Sequence, residues 1–331
     1  MDITTVADDL IVVHDGLQVH RLDGLEPDTD HHLAGTTVRT LARPAGALLC
    51  RLATVNDVHF GEVEAGKLAG VSDGPIQRVD AGQAPYPETM NRAAVEEMAR
   101  VDLAAVFVKG DLSQDGQPDE WDAFEQCYRG AFGDRLHVVR GNHDAYQGQS
   151  AYAGDQWIEL PGVAVALLDT TIPTKSTGSI SAAQLDWLDG HAQASTVPVI
   201  VMGHHQQFTG RKRTDDYFGL HPDASDALST VIERRPSVVA YTAGHTHRHR
   251  RRVLPSGVPT IEVGCVKDFP GTWAEYRIHE GGILQVVHRM SSPAALQWSE
   301  RCRHLYQDFG VDYERYALGQ LSDRCFPIGL R

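Results

Sequence analysis

The chain has 331 residues, 42% of them hydrophobic, which is enough for one large core or one core with a small appendage. Lys and Arg number 30 against 44 Asp and Glu, so the net charge is −14, and this acidic balance argues against a protein that grips long nucleic acid. The chain shows neither a secretory signal nor a stretch of membrane-spanning length, so we expect cytoplasmic residence and no membrane partner.

The first predicted element is a small β structure. Apolar and polar residues alternate along residues 10–20 and again near residues 38–41, which is the period of a half-buried strand. The segment is too short for a complete β module. We therefore predict a β-hairpin appendage over residues 1–46.

From about residue 47 the chain alternates short apolar runs with longer segments of helical period, and this alternation predicts an α/β domain over residues 47–290. The candidate strands are rich in β-branched residues and cover residues 48–55, 104–109, 136–140, 163–168, 197–202, 238–242, 260–263, 275–279 and 283–288. The candidate helices cover residues 87–100, 118–131, 182–194 and 222–235. Because the last three strands follow one another without helices, we expect mixed sheets.

Two segments lie outside this alternation. Residues 61–85 carry Gly and Pro without a clear period, so we predict a long loop over the functional site. Residues 291–331 mix polar and aromatic side chains. We expect them to form one or two helices that pack on the domain or on a second subunit of a homo-oligomer.

Five short polar motifs each follow a predicted strand. In chain order they are Asp57-Val58-His59, Gly110-Asp111, Gly141-Asn142-His143-Asp144, Gly203-His204-His205 and Gly244-His245-Thr246-His247. Ligands of α/β sheets gather at the carboxyl ends of the strands, so the five motifs should meet in one crevice. One such motif alone would carry little weight, whereas five in this arrangement predict a site.

The motifs supply carboxylate, amide and imidazole groups but no thiolate. This set suits divalent Mn, Fe or Zn ions and does not choose among them. Alternation along an extended backbone would point Asp57 and His59 to one side, and His245 and His247 likewise. The glycine before Asp111 fits a sharp turn at a strand end.

The five motifs and their order resemble the calcineurin-like metallophosphoesterases over residues 54–266. In addition, Asp169-Thr170-Thr171 and residues 181–188 are similar to the family's class III cyclic-nucleotide phosphodiesterase branch. The resemblance implies a four-layered α/β/β/α sandwich.

The resemblance also implies a site for two divalent metal ions. The residues carried over as ligands are Asp57, His59 and His247 for one ion, Asn142, His204 and His245 for the other, and Asp111 between the two. A shared carboxylate offsets the repulsion between cations about 3.5 to 4 Å apart and positions a bridging hydroxide for in-line attack on phosphorus.

Three residues are expected to contact the substrate. By the same resemblance, His143 would protonate the leaving oxygen, while Asn142 and His205 would bind the phosphoester. Together with Asp111, His143 is the expected catalytic group.

The chain departs from the family pattern three positions after the bridging carboxylate. Many relatives carry Asp there to orient the motif histidine, whereas this chain has Gln114. The sequence therefore leaves open whether Asp115 or Asp144 orients His143, or neither of them.

We predict a two-metal phosphoesterase that hydrolyses small phosphodiesters, with 3',5'-cyclic nucleotides among the candidates. A phosphomonoesterase or a nucleotide pyrophosphatase on the same site is one alternative. A non-catalytic scaffold of the same fold is another, but such relatives lose ligands, and all seven are present here.

Overall fold

Two six-stranded sheets form the centre of the protein in a computed structural model, which describes residues 1–33, 35–67, 76–208, 210 and 217–331. The strands in these ranges are β1 (Asp2–Val6), β2 (Leu10–Asp15), β3 (Gln18–Asp23), β4 (Asp30–Leu33), β5 (Thr36–Arg39), β6 (Leu48–Val55), β7 (Ala105–Lys109), β8 (Leu136–Val139), β9 (Gln156–Leu160), β10 (Val163–Leu168), β11 (Val199–Gly203), β12 (Val238–Ala243), β13 (Arg250–Val253), β14 (Pro259–Glu262), β15 (Thr272–His279), β16 (Gly282–Arg289) and β17 (Phe326–Ile328).

Helices flank the sheets. The main ones are α1 (Tyr86–Met98), α2 (Pro118–Phe124), α3 (Ala182–Ala194), α4 (Pro222–Arg234), α5 (Pro293–Cys302), α6 (Tyr313–Leu318) and α7 (Leu321–Arg324). Helix α2 continues through a π-helical turn, Glu125–Arg129. Helix α3 starts where the sequence places it because Ser181 accepts a hydrogen bond from the Gln184 backbone N–H at 3.3 Å.

Both sheets are mixed, as expected. The first has the order β17-β16-β15-β6-β7-β8, with β6, β7 and β8 parallel. The second has the order β13-β14-β12-β11-β10-β9, with β10, β11, β12 and β14 parallel. The predicted strands are all present, whereas β9, β13 and β17 were missed because they are short and carry polar residues or Pro.

The sheets stack face to face with helices on both outer sides. Phe107 of the first sheet and Met202 of the second belong to the same buried apolar cluster between them. On the outer face of the first sheet, Tyr86 of α1 stacks on Trp298 of α5 with ring centroids 4.3 Å apart. On the outer face of the second sheet, Leu228 of α4 is buried in a further cluster. The expected four-layered α/β/β/α sandwich is confirmed.

Residues 1–46 form more than the single hairpin that the sequence predicts. Strands β1, β2 and β3 make a three-stranded antiparallel sheet, and β4 and β5 make a separate hairpin. Val6 and Leu10 from this segment pack against Leu284 and Val286 of β16. The prediction of one hairpin was wrong because strand β1 is only five residues long and gives a weak pattern. A domain boundary at residue 46 stays a prediction.

Residues 291–331 form three helices and a strand. Helix α5 packs against α1, and β17 extends the first sheet beside β16. The tail therefore packs on the domain, while a second subunit stays a prediction. None of the helices in the described ranges combines the length and the apolar composition that a bilayer crossing requires.

The fold brings the polar motifs together at one edge. Strands β6, β7 and β8 are parallel in one sheet, and β11 and β12 are parallel in the other. Each of the five motifs begins at the last residue of one of these strands or within two residues after it. The carboxyl ends of both sheets therefore define the position of the site.

The buried histidine of the N-terminal sheet makes folding sensitive to acid. His14 is fully buried, with Nδ1 2.8 Å from Thr4 Oγ1 and Nε2 3.3 Å from the Met290 carbonyl oxygen. Burial, reinforced by the positive charge of Arg289, lowers the pKa of His14 to about 4. Because the unfolded chain binds this proton more readily, His14 contributes stability above about pH 6.5 that is lost as the pH falls towards 4.

We expect His14→Asn to flatten the pH dependence of stability. The wild type should lose up to about 3 kcal/mol more free energy of unfolding than the variant between pH 7 and pH 4. Urea titrations at several pH values measure this difference, with the exposed His20→Asn as a matched control that keeps the wild-type slope. Equal slopes for wild type and His14→Asn would contradict a neutral buried His14.

Candidate metal centre

The seven predicted metal ligands meet at the carboxyl ends of the strands. Three sets of side-chain donor atoms each lie within 4.8 Å of one another, and they overlap in Asp57 and His204. These sets are Asp57, His59 and His247; Asp57, Asp111 and His204; and His204, His205 and His245. The remaining ligand, Asn142, places Oδ1 3.0 Å from His204 Nε2.

Left-handed backbone conformations produce this convergence. The ligands with positive φ are Asp57 (55°), His59 (48°), Asp111 (52°), His245 (68°) and His247 (53°). Residues with a side chain rarely adopt this region, and each instance costs on the order of 1–3 kcal/mol. The expectation that alternation along an extended strand would direct these pairs was wrong, because both members of each pair turn the chain.

Backbone hydrogen bonds hold the two strained loops after β6 and β7 together. The N–H of Asp57 donates to the Gly110 carbonyl at 3.1 Å, and the N–H of His59 donates to the Asp111 carbonyl at 2.9 Å. The N–H of Phe60 continues the pattern to Leu112 at 3.0 Å. The loops thus extend the pairing of their parent strands, and this pairing offsets the strain.

Two glycines leave the space that the ligands need. Gly110 has φ of 88°, and a Cβ there would lie 2.4 Å from His204 Nδ1. A Cβ on Gly141 would lie 2.3 Å from the Asp111 backbone nitrogen. Real Cβ atoms do not approach so closely, so a side chain at either position would displace a ligand.

On the first ion's side, His59 is oriented by a neighbour. Its Nδ1 donates to Gln114 Oε1 at 3.1 Å, which leaves Nε2 as the free lone pair, 3.5 Å from Asp111 Oδ2. That Nε2 is buried and has no hydrogen-bond partner. The third member of this group, His247, has its Nε2 3.6 Å from Asp57 Oδ1.

On the second ion's side, His204 is fixed in the same manner. Its Nδ1 lies 2.8 Å from the Lys109 carbonyl oxygen, and its Nε2 lies 3.3 Å from Asp111 Oδ2. The Nε2 of His245 is buried without a hydrogen-bond partner. A buried nitrogen with no partner is costly unless something binds it, and a metal ion meets that need.

The electrostatics also suit cations. Burial keeps the pKa of His59, His245 and His247 well below the usual value, so these rings are neutral, the form that binds metal ions. Burial alone would raise the pKa of Asp111, but His204 and the other nearby histidines hold it well below the usual value. The neutral nitrogens of these three rings and the ionised Asp111 fit two divalent metal ions, with Asp111 adjacent to both groups of ligands. His204 differs: burial lowers its pKa, but the Asp111 carboxylate raises it to about 9, so this ring must lose a proton before it binds a metal ion.

The orientation of His143 comes from the backbone. Its Nδ1 donates to the Gln114 carbonyl oxygen at 2.8 Å, and its own N–H donates to Asp111 Oδ1 at 2.9 Å. Asp144 instead accepts hydrogen bonds from backbone N–H groups, among them that of Gly141 at 2.8 Å. No hydrogen bond from Asp115 to His143 occurs among the described residues. Neither acid therefore orients His143, and Gln114 serves both His143 and His59.

His205 is fully buried, so its predicted contact with substrate stays a prediction. Its Nδ1 lies 2.8 Å from Thr170 Oγ1, and its carbonyl accepts a hydrogen bond from the Tyr241 hydroxyl at 2.6 Å. Its donor atom falls in the group with His204 and His245. This position supports the second group of ligands.

A cleft of about 560 Å³ opens beside the first group of ligands, with His59, His143 and His247 in its wall. The described part of the predicted 61–85 loop contributes residues 61–64, 66 and 67 to the rim. Residues 68–75 of that loop lie outside the described residues. Lys267, a buried lysine in the cleft wall, lies outside the five motifs and could not be predicted as a site residue.

Lys267 forms an ion pair with Glu62 across this wall. Near the second group of ligands, the ring of Phe218 stacks on His245. The sequence does not single out Phe218, because one aromatic residue in a segment after a strand is as typical of core packing as of a binding site.

A family model described as calcineurin-like phosphoesterase matches residues 50–249. The chain is 28% identical over 149 residues to a probable cyclic nucleotide phosphodiesterase of Synechococcus, covering 43% of this chain and 57% of that protein, which is less than two thirds of its length. It is 27% identical over 213 residues to a 3',5'-cyclic-nucleotide phosphodiesterase of Nostoc, covering 61% of this chain and 73% of that protein.

Solved structures share the fold. A dimetal phosphatase from Danio rerio has a TM-score of 0.56 at 18% identity, covering 73% of this chain and 97% of that one. A purple acid phosphatase from yellow lupin has a TM-score of 0.53 at 14% identity, covering 83% of this chain and 60% of that one. At these identities the similarity shows the architecture alone.

We expect Asp111→Asn to lose metal and turnover together, because one carboxylate lies against both groups of ligands. The wild type should bind close to two ions per chain and the variant fewer, with turnover lowered more than about 100-fold, since even outer partners of ligands are worth 10- to 100-fold. Elemental analysis and steady-state kinetics measure both. Asp115→Asn changes a cleft carboxylate outside the ligand groups and is the matched control, which should keep two ions and wild-type turnover of a diester. Two ions and full diester turnover in Asp111→Asn would refute the bridging role.

Proposed function

Because the chain belongs to the calcineurin-like phosphoesterase family, whose members are metal-dependent phosphoric ester hydrolases, we propose that it hydrolyses small phosphodiesters, including 3',5'-cyclic nucleotides. The observation that carries the proposal is the convergence of the six other ligands on Asp111 next to an open cleft. The donors are oxygen and imidazole nitrogen, so Mn, Fe and Zn are the proposed metals.

The chain's own residues have separable tasks in this reaction. Two divalent ions held by the ligands would polarise the phosphoryl oxygens and supply a nucleophile from water near neutral pH. Asn142 and Asp111 keep the phosphoester between the two groups of ligands. His143 borders the cleft and has Nδ1 engaged by Gln114, so Nε2 is the atom that can deliver a proton to the leaving oxygen.

The charge of the cleft favours diesters over monoesters. Its wall and rim carry four carboxylates against two lysine ammonium groups. Glu62 pairs with Lys267, and Glu64 pairs with Lys67 and Arg78, so the carboxylates left in excess are Asp115 and Asp268. A diester brings one negative charge, whereas a monoester brings close to two near neutral pH. The extra charge is repelled by the acidic excess, so monoesters and nucleotide pyrophosphates rank second as substrates.

The stretches that resemble the cyclic-nucleotide branch support the site from behind. Asp169 accepts a hydrogen bond from the buried Arg140 at 2.9 Å, and Gln184 Nε2 donates to the Asp169 carbonyl at 2.9 Å. Arg140 directly precedes the motif that carries Asn142 and His143. These residues stabilise the loop and do not contact the substrate cleft. The proposal of cyclic nucleotides as substrates is supported by the sequence resemblance of these stretches and by the named activities of the Synechococcus and Nostoc relatives.

The main alternative outside catalysis is a scaffold that keeps the fold. A scaffold without catalysis does not need buried side chains that bind cations on a strained backbone. All seven ligands are present, and the cleft beside them is open. These features favour an enzyme.

We expect the Mn²⁺-loaded protein to cleave bis(p-nitrophenyl) phosphate with a kcat/KM about tenfold or more above that for p-nitrophenyl phosphate, because the second negative charge is repelled. Asp115→Asn removes one cleft charge and should narrow this gap by raising the monoester rate more. A higher kcat/KM for the monoester than for every diester in the panel, cyclic nucleotides included, would contradict the proposed substrate class.

The proposed acid role of His143 predicts a dependence on the leaving group. His143→Ala should lower turnover of alkyl diesters and cyclic nucleotides by about 10²- to 10⁴-fold, whereas p-nitrophenyl esters, whose leaving anion is already stable, should lose far less. Rates for a series of leaving groups test this. Equal losses across the series would assign His143 to positioning instead.

A further inference from the structure

Phe218 is a large aromatic side chain left exposed beside the second group of ligands. Its ring stacks on the ring of His245 with centroids 4.0 Å apart and an angle of 27° between the planes. The residue is nevertheless 58% exposed. Isolated exposed aromatic residues are ordinary on protein surfaces, but this one contacts a metal ligand.

The backbone around Phe218 is fixed. The carbonyl of Phe218 accepts a hydrogen bond from Gln206 Nε2, and the next residue accepts one from the Gly178 backbone N–H at 2.8 Å. The N–H of Leu220 donates to the Gln206 carbonyl at 2.9 Å. Gly219 has φ of 124°, and a Cβ there would lie 2.6 Å from Gln206 Nε2. The ring is therefore exposed on an anchored segment.

Phe218 contacts the second group of ligands, whereas the cleft opens beside the first group. The cleft is bordered by His59, His247 and the proposed acid His143, so the leaving alcohol belongs there. Phe218 is not part of the cleft wall; it contacts His245, a ligand of the second group. A phosphate held between the two groups with its leaving oxygen on the His143 side would direct its other ester substituent to the side of His245 and Phe218.

We infer that Phe218 is a stacking platform for a planar group, such as a nucleobase, on the alcohol that stays attached to phosphorus. The inference rests on the proposed diesterase function and narrows its substrate class to diesters with a nucleoside or aryl substituent. Every nucleobase presents a flat face to an aromatic ring, so this platform selects planar groups without reading a base identity. If Phe218 only shielded His245 from solvent, its replacement would change kcat/KM by the same factor for all substrates.

Two substrates with the same leaving group separate these roles. Thymidine 5'-(p-nitrophenyl phosphate) and ethyl p-nitrophenyl phosphate both release p-nitrophenolate and differ only in the retained alcohol. The ratio of their kcat/KM values therefore reports on the retained group. We expect the wild type to favour the thymidine ester about tenfold, the order that stacking of one base supplies.

Variants at position 218 test the platform. Phe218→Ala and Phe218→Leu should reduce the ratio to near one, since neither offers a flat ring, and Phe218→Tyr should retain it. The matched control is Phe309→Ala, which removes another exposed phenylalanine, 44% exposed and outside the cleft wall, and should leave the ratio unchanged. Metal content and thermal unfolding are measured for each variant. If Phe218→Ala loses metal, the kcat/KM ratios of Phe218→Tyr and Phe218→Leu still test whether a flat ring is required.

An unchanged ratio in Phe218→Ala, or a ratio in Phe218→Leu equal to that in Phe218→Tyr, would overturn the inference. In that case hydrolysis of both esters by the wild type would leave the diesterase proposal standing. Hydrolysis of neither ester by metal-loaded wild type would overturn the proposed function itself, and the inference with it.

Discussion

The left-handed backbone at five ligands is the constraint on which the rest of the site depends. Each such residue costs on the order of 1–3 kcal/mol, so the loops persist only because the surrounding structure fixes them. The parallel pairing of β6 with β7 continues into the loops through hydrogen bonds between residues 57–60 and 110–112. Gly110 and Gly141 leave the room that this close approach needs. The left-handed backbone, the hydrogen bonds between the loops and the two glycines together position ligands from separate strands at one site.

The same arrangement explains the charge of the site. Asp111 is buried among histidines, and His143 donates its backbone N–H to the carboxylate at 2.9 Å. Burial keeps the rings of His59 and His245 neutral, and their Nε2 atoms have no hydrogen-bond partner. Buried nitrogens without partners and a buried carboxylate are unfavourable alone, and cations remove both costs. Metal binding at this site would therefore also stabilise the fold.

Much of this could be predicted from the sequence, because strand ends and motif order are local patterns. The apolar runs placed β6 and β10 to the residue, and the motifs named seven residues whose side chains meet at one site. Three features could not be predicted in this way. They are the positive φ of five ligands, the hydrogen bond from His143 to the Gln114 carbonyl, and the third strand of the N-terminal sheet. A main-chain acceptor has no sequence signature, and the exposure of Phe218 depends on segments that only the folded chain brings together.

The most direct test of a two-metal centre shared through Asp111 is anomalous diffraction from crystals grown with Mn²⁺. The account predicts two peaks about 3.5 to 4 Å apart, with Asp111 in contact with both. The other ligands should divide as Asp57, His59 and His247 around one peak and Asn142, His204 and His245 around the other. A single peak, or two peaks that do not share Asp111, would contradict it.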